Sequence, residues 1–119
     1  MEAIDKRAEE LGRLLGQSEE YLAWRRAEER LTADDGLRQS LDQLAQLQVT
    51  AAEKAERGEH PTAEQQAELD ALWSKVQVSP LYQAFIAART NFDKMMYRVN
   101  ETILDGMKQG SESRIITLG

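Results

Sequence analysis

His60 is the single imidazole among 119 residues, so any histidine-based chemistry in this chain has to start there. It follows Glu59 and sits four residues beyond Glu56, in the segment Gly58-Glu59-His60-Pro61. A metal site asks for several His, Cys, Asp or Glu side chains at ligand spacing. One histidine cannot form the His-Glu-x-x-His pattern of a zinc helix, and His60 reads as an exposed turn residue. Asp34-Asp35-Gly36 looks like the opening of a calcium loop, but the alternating acidic ligands and the closing glutamate of such a loop do not follow. Asp34 is better read as a helix cap. Nucleophilic catalysis needs a serine or threonine with a base beside it. Ser18, Ser40, Ser74, Ser79, Ser111 and Ser113 fall at caps, on polar faces or near the C-terminus, and none lies in a Gly-x-Ser-x-Gly elbow. Paired carboxylates such as Glu9-Glu10, Glu19-Glu20 and Glu28-Glu29 occupy solvated faces or first turns. The sequence therefore offers no catalytic residue, no metal ligand set and no cofactor site, and it reads as a non-enzyme.

Two other constellations can bind rather than react. Arg25, Arg26 and Arg30, with Arg38 a little further on, form the densest basic cluster, suited to RNA or an acidic protein. Glu28 and Glu29 are interleaved with it, and Glu29 lies at helical pairing distance from Arg25 and Arg26. The whole chain carries 15 Lys+Arg against 21 Asp+Glu, a net charge of −6, which repels a phosphate backbone at long range and disfavours direct nucleic-acid binding. The aromatics Trp24, Trp73, Tyr82, Phe85 and Phe92 all fall on apolar helix faces, where they serve a core or anchor an interface.

The elements that would carry these residues are helices throughout. Apolar residues recur at three and four, the period of a single helix face. Ile4, Ala8, Leu11 and Leu15 make a first stripe, stopped at Gly16; Ser18 caps a second helix through Tyr21, Trp24, Ala27 and Leu31, ending near Thr32-Ala33. Asp34 opens a third, with the stripe Leu37, Leu41, Leu44, Gln48, Ala51, Ala55 spaced like a coiled-coil strand. After the Gly58–Pro61 break, Thr62 and Gln65 form a capping box ahead of Leu69, Leu72, Trp73 and Val76. Ser79-Pro80 starts the longest helix, expected to run to about Gln109. One of its seams reads Leu81, Phe85, Ala88, Phe92, Met95, Val99, and beside it run Tyr82, Ile86, Met96, Ile103 and Met107. Thirty residues of helix are roughly 45 Å long, while a globule of this mass is only about 30 Å across. Part of that surface must overhang the domain and offer a place for another chain. Residues 1–109 read as one helical domain and 110–119 as a flexible tail holding the short apolar run Ile115-Ile116-Thr117-Leu118. Zero cysteines fit a reducing cytoplasm, and no run approaches the roughly 20 apolar residues of a membrane span.

The stretch from Leu11-Gly12-Arg13-Leu14-Leu15-Gly16 through Gln17-Ser18-Glu19-Glu20-Tyr21, with Arg26-Ala27-Glu28 and Asp34, resembles the N-terminal pattern of the YlbF/YmcA-like family of small helical bacterial regulators. Leu47-Gln48 before the Gly58 break fits the same pattern, as do Ser79-Pro80-Leu81-Tyr82 and the run from Phe92-Asp93-Lys94-Met95-Met96 to Tyr97-Arg98-Val99-Asn100. The resemblance covers about residues 3 to 107. It implies an all-α bundle built on a long antiparallel helix pair, prone to form homo- or hetero-oligomers. It also implies a role in complexes that affect competence, sporulation and biofilm formation through ribonuclease-dependent processing of messenger RNA. Some such complexes are associated with iron–sulfur clusters through cysteine, a role this cysteine-free chain cannot carry. The sequence thus points to a regulatory or scaffold protein that assembles with itself, with related helical proteins or with a ribonuclease. Phe92, Met96, Val99 and Ile103 are the residues expected to be buried on assembly, joined by Tyr82 and Trp24.

Overall fold

The computed structural model describes residues 1–118, with side chains described as far as Arg114. Five helices account for almost all of it: α1 (Glu2–Gly16), α2 (Glu19–Ala33), α3 (Asp35–Glu56), α4 (Ala63–Gln77) and α5 (Pro80–Leu118). The all-α class expected from composition and periodicity is the class observed.

Local chemistry sets the boundaries. Ser18 Oγ accepts a hydrogen bond from the Tyr21 amide at 3.1 Å and donates to the Leu15 carbonyl at 2.6 Å, so one hydroxyl both closes α1 and opens α2. Asp34 accepts from the Leu37 amide at 2.9 Å, which separates α2 from α3 by a single residue. The Thr62–Gln65 capping box forms in both directions, at 3.1 and 3.0 Å. α3 ends in a Schellman turn: Gly58 adopts φ +76°, its amide reaches the Ala55 carbonyl, and the Glu59 amide reaches that of Lys54 at 2.8 Å. A side chain at that φ would be strained, which is the reason for glycine there.

α5 is longer than its sequence suggests. It does not stop near Gln109 but runs on through Gly110-Ser111-Glu112-Ser113 to Leu118, 39 residues in all. Helical backbone thus continues into the segment read as a tail, while the side chains of the apolar run Ile115–Leu118 lie outside the described residues. Glycine and serine lower helix propensity by less than about 1 kcal/mol each, too little to break a helix that is already propagating.

Packing is antiparallel in two places. α2 lies along α5 with Glu19 and Glu20 near Lys94 and Arg98, and with Arg30 near Leu81. α3 folds back on α4, placing Leu47 and Ala51 beside Leu69 and Lys54 beside Pro61. The ends of these pairs meet where Leu31, Leu37 and Val76 are buried together, with Leu41, Leu81, Tyr82 and Phe85 packed around them. Beyond this junction only Leu44 and Met95 are buried apolar residues among those described. α3 presents a slightly different face from the one its stripe suggests: Leu47 and Lys54 are partly covered while Gln48 and Ala55 are exposed. Positions three and four after Leu44 are both near the seam, and where α4 docks decides between them. α1 carries no buried residue at all.

Candidate interaction site

α2 and α5 are held together by an aromatic stack rather than by aliphatic packing alone. Trp24 and Phe92 lie face to face with ring centroids 4.8 Å apart, and Tyr21 meets the edge of Trp24 at 6.0 Å. The Arg89 guanidinium covers the Trp24 ring at 4.8 Å, while its Nε donates to Asp93 at 3.4 Å. Tyr82 meets Trp73 edge-on at 5.9 Å beside the junction core. Of the six residues expected at an assembly interface, Trp24, Phe92 and Tyr82 therefore already have aromatic partners within the chain, each remaining partly exposed. Met96, Val99 and Ile103 lie further along α5, where α2 comes to an end.

From that point the helix is bare. Every described residue from Asn100 to Arg114 is exposed. Ile103 is 46% exposed, Leu104 56%, Met107 64% and Tyr97 67%. The two apolar lines read from the sequence pass over Tyr97 and Leu104, although their spacing of seven places both on one side of the helix. Soluble monomers rarely leave a continuous apolar strip of this kind in water. Two grooves border it. One, of about 750 Å³, runs between α2 and α5 and is lined by Glu19, Glu20, Asn91, Lys94, Tyr97 and Arg98. The other, of about 390 Å³, lies where Leu11 of α1 faces Met95, Val99, Thr102 and Ile103. Arg98 lines both.

The basic cluster is divided by the fold. Arg25 pairs with Glu28 at 3.1 Å and Arg38 with Asp35 at 3.0 Å, both at helical spacing. Arg26 and Arg30 line a separate groove with Ala23, Ala27, Leu81 and Ala84. Arg26 and Arg30 thus share one groove, while Arg25 and Arg38 are each engaged by a carboxylate of their own helix. Among the described residues no three His, Cys, Asp or Glu side chains gather to hold a metal ion, and no helix is long and apolar enough to cross a membrane.

A fold in which α2, α3, α4 and α5 each open on a side-chain cap but the longest helix is uncovered from Asn100 to Arg114 fits a chain that acts through other chains. Residues 4–108 match the family described as control of competence regulator ComK, YlbF/YmcA. The chain belongs to the YlbF/YmcA family. A UPF0342 protein of Leuconostoc citreum (strain KM20) is 25% identical over 96 residues, covering 81% of each chain. A UPF0342 protein of Leuconostoc mesenteroides subsp. mesenteroides is 22% identical over the same length, covering 81% of this chain and 82% of its own. The YlbF/YmcA match ends at residue 108, so it takes in the bare strip as far as Met107 as well as the aromatic stack. An iron–sulfur cluster held by thiolates does not fit this YlbF/YmcA chain, whose donor set includes no cysteine.

Proposed function

We propose that this protein is a non-catalytic regulatory subunit of the cytoplasm, working by packing its helices against copies of itself or against related helical chains. The observation that carries the reading is the apolar strip of α5, on which Leu104 and Met107 are more than half exposed and Ile103 stays 46% exposed beside Leu11 of α1. Burying apolar surface is worth about 25 cal/mol per Å². A helix that withholds it from its own core is available to a partner. The family description, control of a competence regulator, supports a regulatory outcome for that contact. The finer role is a place in a complex that acts with a ribonuclease on messenger RNA and so influences competence, sporulation and biofilm formation.

The test is capture of the tagged protein from its native cytosol under mild crosslinking, with half of the sample treated with RNase and both halves analysed by mass spectrometry. Related helical proteins or a ribonuclease should appear in both halves. Partners lost on RNase treatment would replace this reading with RNA attachment through Arg25, Arg26, Arg30 and Arg38. Recovery of no other chain would remove the role in a ribonuclease complex.

A further inference from the structure

We infer that the groove between α2 and α5 at Arg26 and Arg30 is the docking site for an acidic, amphipathic helix of a different protein. The inference concerns a surface other than the bare end of α5. It rests on the reading of the chain as a subunit that acts through partners, and names the chemistry of one of them.

The groove measures about 280 Å³, just below the roughly 300–1,000 Å³ of a small-molecule pocket. Its walls are Ala23 and Ala27 of α2 with Leu81, Ala84 and Ala88 of α5. Among the described residues, Arg26 and Arg30 supply its only charges. The distance between two packed helices is set by the side chains at the contact, about 8–10 Å in general. Alanine walls therefore admit another helix at the short end of that range.

Positive charge collects here without an answer from the chain. Every arginine from Arg7 to Arg89 except Arg26 and Arg30 holds a carboxylate at 3.0–3.7 Å. Asp34 stands four residues from Arg30 but gives its carboxylate to the Leu37 amide. Arg26 and Arg30 are themselves four apart, a like-charge spacing that destabilises a helix left to itself. The first turn of α5, which contributes Leu81 to the groove, adds a third positive feature. α1, α2, α3 and α4 each carry a carboxylate in the first turn, where it offsets the positive end of the helix dipole; α5 carries none.

The occupant that answers this arrangement has an apolar seam and carboxylates beside it. Two carboxylates one turn apart on a helix are separated by about 6 Å along its axis, the same rise that separates Arg26 from Arg30. Each guanidinium can take a carboxylate through two parallel N–H donors. The seam of the same helix then covers Ala23, Ala27, Ala84 and Ala88, the usual way a helix occupies a groove. RNA is a poorer occupant: none of the residues lining this groove is aromatic, so bases have nothing to stack on, and the chain as a whole is acidic at −6. Two cations also fall short of the four to eight that hold a segment to an anionic membrane.

Site-specific photo-crosslinking tests this. Benzoylphenylalanine placed at Ala84, an exposed wall position, is irradiated in the full chain in its own cells, and the cross-linked segment is sequenced by mass spectrometry. The expected product is a helical segment of another protein carrying two carboxylates three or four residues apart. Arg26→Gln with Arg30→Gln should lower its yield by about tenfold or more, since each buried carboxylate would lose its partner. Arg25→Gln with Arg38→Gln removes the same charge from outside the groove and should leave the yield unchanged. All four arginines are exposed, so the helical circular-dichroism signal should be the same in both double variants. No cross-link at Ala84 overturns the inference, as does a segment without carboxylates, a product made only of this chain, or equal loss in the two double variants. A product that shrinks on RNase treatment would give the groove to RNA instead. Capture of related helical chains with no cross-link at Ala84 would refute the groove alone and leave the regulatory reading standing. An acidic segment cross-linked at Ala84 in a chain that assembles neither with itself nor with related helical chains would do the reverse.

Discussion

Trp24 is stacked on Phe92, edged by Tyr21 and capped by Arg89, yet its indole Nε1 is buried with no hydrogen-bond acceptor from the chain. A buried donor left without a partner costs about 1–3 kcal/mol, which offsets part of what the ring contributes by packing. Trp24→Phe should therefore cost less than about 1.5 kcal/mol in urea unfolding, whereas Trp24→Ala should cost about 3–5 kcal/mol through the cavity it leaves. Equal losses for the two variants would mean that the N–H, not the ring, matters. Val76 is the opposite case. It is fully buried at the meeting point of four helices, in a core with few other members. Val76→Ala should lower stability by about 2 kcal/mol, read in the same unfolding experiment. Neither role is visible in the sequence, where Trp24 and Trp73 sit on equally apolar faces. Which aromatic finds a partner inside the chain depends on a helix far away in sequence.

At the scale of elements, the features fixed by neighbouring residues are the legible ones. The hydroxyls of Ser18 and Thr62 and the carboxylate of Asp34 cap helices because a cap needs only its own next three residues. Choices that depend on a distant partner were less legible. The face of α3 slipped from Gln48 to Leu47 because the position of α4 settles it, and α5 outran its expected end because a long helix propagates through residues that would not start one. The exposed apolar strip is half legible: Met96, Val99 and Ile103 stand out as apolar, but Tyr97 and Leu104 stand out only once α2 is seen to end beside them. Gly110 offers a test of this element. It lies within the helix, and an added Cβ meets nothing within 4 Å. Gly110→Ala should stabilise the C-terminal turns of α5 by about 1 kcal/mol, seen as slower amide exchange around that position. Unchanged exchange there would show that these turns open independently of their helix propensity.

The molecule as a whole measures 69 × 37 × 22 Å, with a radius of gyration of 21.5 Å. A compact domain of this length would have a radius of about 13.5 Å. The difference is the arms: α1, which buries none of its own residues, and the far half of α5. A chain that leaves so much surface outside its core gains stability from whatever covers it, so its melting temperature should rise with protein concentration. Calorimetry over a hundredfold dilution series would show this. A melting point independent of concentration would mean that the strip remains uncovered in solution.

The unbroken course of α5 has a mechanical consequence. After Pro80 the helix contains no further proline through Leu118, and it passes from the buried junction at Phe85 to the bare strip without interruption. Phe85 and Met107 are thereby separated by about 33 Å and locked in rotational phase, since each residue adds about 1.5 Å and about 100°. The helix acts as a ruler and a torsion bar together. Whatever grips its outer end is held at a set distance and angle from the four-helix junction, and a twist applied at one end is delivered to the other.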